Sequence, residues 1–134
     1  MIDPSNDLQV ALEAALKVEG ALPPEVSGRV YDKPPTAAKY PYIVIGDCQV
    51  VPDKADCIDG VEAFPIVDVW SQKGGYPEAK RIAGAIVAAL DDKPLTVPGF
   101  NVILFELQNY QPLRDPDGIT RRVSLIFRSL LQPS

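Results

Sequence analysis

Histidine is absent from this chain, which removes Ser-His-Asp and Cys-His catalysis, histidine general bases and histidine metal sites together. Cysteine is scarce. Cys48 and Cys57 are the two thiols, too few for a structural zinc site without histidine. They bracket a polar segment and would approach each other across a hairpin, but free thiols are the expectation in a cytosolic setting. A nucleophilic cysteine needs a base or an electropositive setting, whereas Asp47 and Asp56 sit beside these two and push a thiol pKa upward. A long apolar run is missing as well: nothing approaches the roughly 18 residues that span a bilayer. The start, Met1 to Asp7, has neither the basic residues nor the apolar stretch of a signal peptide. The expectation is a protein made and kept in the cytosol unless it leaves as part of something larger.

Phosphate and metal motifs are also wanting. Gly74-Gly75 precedes a helical segment, but the Lys-Ser/Thr pair of a phosphate loop is absent and Lys80-Arg81 come a turn later, so a plain turn is expected. Asp53, Asp56, Asp59 and Glu62 place four carboxylates within ten residues. Their spacing departs from the calcium-loop template, with neither the turn glycine nor the closing Glu in place. The segment Pro52 to Gly60 therefore reads as a solvated, mobile acidic loop. No cofactor, metal or catalytic residue is expected.

What is present suits one domain, residues 1–134, large enough to bury roughly two-thirds of its unfolded surface. Apolar residues make up 46% and charged residues 23%, the balance of a soluble globular core. The net charge of −5 is unevenly spread. Residues 1–113 carry nine basic and sixteen acidic side chains, whereas residues 114–134 carry four basic and two acidic. An acidic body repels nucleic acid, and Arg121, Arg122 and Arg128 read as solvated strand positions or partners for a neighbour's carboxylates.

Leu8, Leu12, Ala15 and Leu16 recur at helical spacing after Asp3-Pro4-Ser5, and Gly20 is the expected stop. Gly28 to Asp32 is a short extended piece. Tyr40 to Asp47 is a stronger strand whose apolar run suggests burial on both faces or close packing under a helix. Val61 to Ser71 alternates Val61, Ala63, Val67 and Val69 with Phe64, Ile66 and Trp70. Its internal Pro65 predicts an edge position or a bulge. Pro77 to Leu90 is a second helix with Ala79, Ile82, Ala83, Ile86 and Leu90 as its buried stripe. Val102 to Tyr110 and Ile119 to Arg128 then flank Pro116-Asp117-Gly118: Pro116 presets φ, Asp117 suits the third turn position, and Gly118 takes φ > 0. That is a β-hairpin with Val123, Leu125 and Phe127 on its inner face. The order predicts an α+β fold, an antiparallel sheet of four to five strands with two helices on one face.

Five stretches together resemble one family: LQVALEAALK at Leu8–Lys17, Gly28–Asp32, YPYIVIGD at Tyr40–Asp47, DVWSQKGGYPEAKRIAGAIVAAL at Asp68–Leu90, and LRDPDGITRRVSLIFRSL at Leu113–Leu130. This is the tail-completion or tail-terminator (head–tail joining) family of long-tailed bacteriophages and prophages. Pro65 and the acidic 53–62 segment depart from its pattern. The resemblance implies a structural virion protein that assembles in the host cytoplasm and ends up at the head-proximal end of the tail. There a homohexameric ring would stop polymerisation of the major tail tube protein and present a surface to the head-completion or connector protein. DNA would pass through without specific binding, and no membrane is involved. The family carries no catalytic residues. Candidate assembly-interface residues are Asp53, Asp56, Asp59 and Glu62 in the acidic segment and Arg114, Arg122 and Arg128 in the C-terminal hairpin. A head–tail adaptor or neck protein and a non-viral, peptide-holding module are the alternatives.

Overall fold

The computed structural model describes residues 1–55 and 58–134. Helix α1 spans Ser5–Leu16 and buries Leu8, Ala11, Leu12 and Leu16 along one stripe. It opens where expected but stops at Leu16, four residues before Gly20, which lies beyond the helix. After a 3-10 turn at Pro24–Val26 come β1 (Val30–Tyr31), β2 (Tyr42–Ala55), β3 (Ile58–Ser71), α2 (Pro77–Leu90), β4 (Phe100–Arg114) and β5 (Arg121–Pro133). Helix α2 buries the whole expected stripe and adds Glu78.

The strands form one sheet in the order β1-β2-β3-β5-β4, antiparallel except for the short β1–β2 pair. The fold is α+β, as the element order predicts, and the helices share one face. Their apolar stripes meet the alternate residues Ile43, Ile45, Ala63, Val67, Val69, Val123, Leu125 and Phe127 in a continuous core. Period-2 alternation in the strands and period-3.6 stripes in the helices are what make that layer pairing possible. The two ends of α2 are tied down. Asp91 Oδ1 accepts the Leu107 N–H at 2.8 Å, fastening its C-terminus to β4. At the other end, buried Glu78 accepts the Ser71 hydroxyl at 2.8 Å.

One expectation needs correction and two open alternatives are settled. The acidic segment is not a loop: Asp53 pairs with Gly60 and Lys54 with Asp59, so β2 and β3 run on as a two-stranded ribbon. A Cβ on Gly60 would sit 2.6 Å from the Asp53 carbonyl oxygen, so only glycine fits that approach. Asp56 and Cys57 lie outside the described residues. The ribbon projects, because β5 begins to pair with β3 only at Val61. Pro52 is tolerated because β1 covers only Ile43 and Val44, which leaves the rest of β2 as an edge.

Pro65, second, lies in a central strand, between β2 and β5, and not at an edge. The bulge alternative holds: the β2–β3 register shifts between Ile45 and Cys48, beside Pro65. Third, for the strand beginning YPYIVIGD the alternative that holds is close packing under a helix. Ile43 and Ile45 are covered, while Val44 on the opposite face is partly exposed. The C-terminal hairpin forms as expected. Gly118 takes φ 72°, and its N–H bonds the Asp115 carbonyl at 3.0 Å. The first strand outruns its expected limits at both ends, whereas the second begins two residues late, at Arg121, and runs on to Pro133.

Candidate assembly surfaces

The face of the sheet turned away from the helices carries Glu62, Phe64, Ile66, Asp68 and Trp70 from β3 and Arg122, Ser124, Ile126, Arg128 and Leu130 from β5, all partly exposed. Alternation puts them there, because their sequence neighbours fill the core. Arg128 sits between two carboxylates, its Nε 2.6 Å from Glu62 Oε2 and its Nη1 3.3 Å from Glu106 Oε1. Those bonds, Glu62's foremost, raise the pKa of a guanidinium that is already always charged. Acidic segment and basic hairpin thus meet within one chain at Glu62 and Arg128. Arg122 lies over the Trp70 ring, 5.1 Å from its centroid, and Trp70 stacks on Tyr42 at 6.4 Å. Burial first, then the neighbouring Tyr40 hydroxyl, pushes the Tyr42 phenol up to about 12. The result is a row of aromatic rings crossing the strands and ending in a cation.

The remaining candidates do not converge. Asp53 and Asp59 lie on the ribbon, where the N-terminal amine is 3.5 Å from Asp59 Oδ2. Arg114 and Arg122 lie at the other end of β3. That strand has 14 residues and so runs roughly 45 Å at about 3.3 Å per residue. Arg114 belongs to a group that sequence reasoning did not assemble. The Tyr76 ring, at the start of α2, has Lys80 Nζ at 5.0 Å, the Arg121 guanidinium at 5.5 Å and that of Arg114 at 5.9 Å. The one local signal for it was the Tyr-Pro helix start with Lys80 a turn later, and nothing local shows which hairpin residues arrive there. The buried Ser71–Glu78 pair was missed for the same reason.

A groove of about 400 Å³ lies between α1 and the bulged part of β2, lined by Ser5, Asn6 and Gln9 on one side and Asp32, Asp47 and Cys48 on the other. Burial, foremost, pushes the Cys48 thiol up, with the nearby Asp3 charge adding to it. A thiol held protonated in this way is a poor nucleophile. Among the described residues no group of three or more His, Cys, Asp or Glu side chains is placed to hold a metal ion.

Comparison with known proteins identifies the family of the chain. Residues 10–132 match the model of the family described as tail completion protein gp17. The tail completion protein gp17 of Bacillus phage SPP1 is 32% identical over 99 residues, covering 72% of each chain. Among solved structures, that of the bacteriophage SPP1 gp17 protein superposes with a TM-score of 0.62 at 27% identity, over 97% of this chain and 91% of that one. A chain in the virion of a native gene transfer agent particle shares the fold more closely, with a TM-score of 0.89 over 98% of this chain and 99% of that one. At 22% identity that likeness speaks to fold alone.

Proposed function

Because the chain belongs to the tail completion protein gp17 family, a family of structural phage tail proteins, we propose that it caps the head-proximal end of a finished tail tube as a closed ring of six copies. In that role it stops further polymerisation and gives the head a surface to join. Its partners are other copies of itself, the major tail tube protein and the head-completion or connector protein. It acts in the host cytoplasm during assembly and remains in the virion. DNA passes through the ring without specific contacts, and a net-negative chain suits such a lumen.

The observation that supports a ring best is the unfinished sheet. The helices fill one face, while the opposite face and most of both long edges, β2 and β4, carry no cover among the described residues. Open edges of this length are ready templates for another chain. On the uncovered face, Arg122 on its Trp70 platform and Arg128 between Glu62 and Glu106 are the charged groups that a tube or connector would meet. Asp53 and Asp59 lie on the projecting ribbon, and in this reading they contact a neighbouring copy.

Electron microscopy of particles made without this gene tests the reading. Tails of uncontrolled length beside unattached heads are expected, with normal tails restored by the wild-type chain. Tails of normal length that merely fail to join heads would instead favour a neck adaptor. The double variant Arg122→Glu, Arg128→Glu, shown to be folded by circular dichroism, is expected not to restore capping. Normal virion yield from it would remove this face from the interface.

A further inference from the structure

The end of the molecule where α2 begins concentrates positive charge in side chains that make no close ion pair among the described residues. Lys80, Arg114 and Arg121 all lie within 6 Å of the Tyr76 ring centroid. Arg114 and Arg121 are direct cross-strand partners, so like charges face each other on adjacent strands, an arrangement that costs stability. Among the described residues none of the three makes an ion pair within 4 Å. Asp117 is near enough to feel the Arg121 charge without pairing with it. Arg121 donates from Nη1 to the Gly118 and Thr120 carbonyls, and its buried Nε has no partner. The ring's π face offsets part of the repulsion; an external anion would offset the rest. An aromatic anchor ringed by arginines is also the composition of interface hot spots.

The opposite edge of the sheet carries the reverse pattern. The groove between α1 and β2 has the exposed carboxylates of Asp32 and Asp47 on its rim, and no Lys or Arg lines it. One chain thus presents a cationic knob on the β5–β4 side and an acidic recess on the β1–β2 side. A closed ring needs such a pair, because its contacts join two different patches of the same surface head to tail. We infer that the Tyr76-centred cluster of one copy seats against the Asp32–Asp47 groove of the next. The occupant is a second copy of this chain, and the complementary charge of its two edges is the argument. This inference rests on the ring reading above and specifies its contact.

Charge reversal tests it. The variants Arg114→Glu with Arg121→Glu, and Asp32→Lys with Asp47→Lys, are each expected to lose self-association, measured by analytical ultracentrifugation in solution and by electron microscopy on uncapped tail tubes. Mixed one to one they are expected to recover it, because an alternating ring of even number restores opposite charges at every contact. Zero-length carbodiimide coupling of the wild-type assembly should join Lys80 to Asp32 or Asp47 of another copy. Circular dichroism separates loss of assembly from loss of fold, and the milder Arg114→Gln, in an exposed residue, should weaken assembly without unfolding. Rings that form normally from both reversed variants would overturn the inference and leave the ring reading intact. So would folded variants that stay apart when mixed. A wild-type chain that associates neither in solution nor on tubes would overturn both.

Discussion

The two faces of the sheet are built from the same strands, alternate residue by alternate residue, yet one is finished and the other is not. On the helix side Val67, Val69, Val123, Leu125 and Phe127 are fully buried, and α1 and α2 close over them. On the other side Phe64, Ile66, Trp70 and Ile126 remain partly exposed among Glu62, Asp68, Arg122 and Arg128. Antiparallel sheets commonly keep one solvated, polar face. This face is more apolar than that pattern, with Arg122 held over the Trp70 ring and Arg128 held by Glu62 and Glu106. The contrast separates what the fold needs from what the chain presents to others.

Substitutions on the two faces should therefore diverge. The largest effect is expected from Phe127→Ala, which removes a fully buried ring stacked on Phe105 at 5.1 Å. A loss of roughly 3–5 kcal/mol in urea unfolding is expected for a phenylalanine at such a site. Ile126→Ala, one residue along and on the open face, should cost well under half of that. Equal losses would mean that the open face is part of the folding core.

Next comes Ser71→Ala, which takes the hydroxyl donor from the buried Glu78 carboxylate at the helix side of the sheet. Leaving a buried acceptor unsatisfied costs about 1–3 kcal/mol, read as a lower unfolding midpoint at neutral pH. Arg128→Ala, on the open face, should barely move that midpoint. Its two ion pairs are about a third exposed, at 32% for the arginine side chain, and are screened by solvent. A large destabilisation by Arg128→Ala would show that the triad holds the monomer together.

The smallest effect should be confined to acid. Asp117 is held below its usual 3.8, first by the Thr120 hydroxyl and then by the Thr120 and Ile119 N–H groups. A lowered folded pKa means that the stabilisation is fully present above the ordinary carboxylate range. It is lost as pH falls through 3.8 toward the folded value. Protection of the Ile119 and Thr120 amides, taken relative to their intrinsic exchange rates at each pH, should therefore fall below that range in the wild type. In Asp117→Asn the acid dependence should be gone. A variant that keeps it would place the titrating group elsewhere.

Helices and inner strand faces were legible in the chain because the signals are local. Leu8, Leu12 and Leu16 fall at helical spacing, and Val123, Leu125 and Phe127 at strand spacing, so each segment declares its buried side before it meets a partner. The acidic segment misled for the same reason. Pro52, Asp53, Lys54, Asp59 and Gly60 have loop composition, and only their pairing across the ribbon makes them strand. Pro65 misled in part, since a proline signals a broken ladder without saying which strands lie on either side.

The sequence by itself determined the α+β class, both helices, the Asp115–Gly118 turn and, through five ordered stretches, the family. Each depends on residues a few positions apart. Only the tertiary structure decided that Glu62, Glu106 and Arg128 form one triad, that Arg114 and Arg121 gather with Lys80 at Tyr76, and that acid and base occupy opposite edges. Those groupings join residues tens of positions apart and follow from the strand order β1-β2-β3-β5-β4. That order is settled by which buried faces pack together under the two helices, an interaction that no local window of sequence contains.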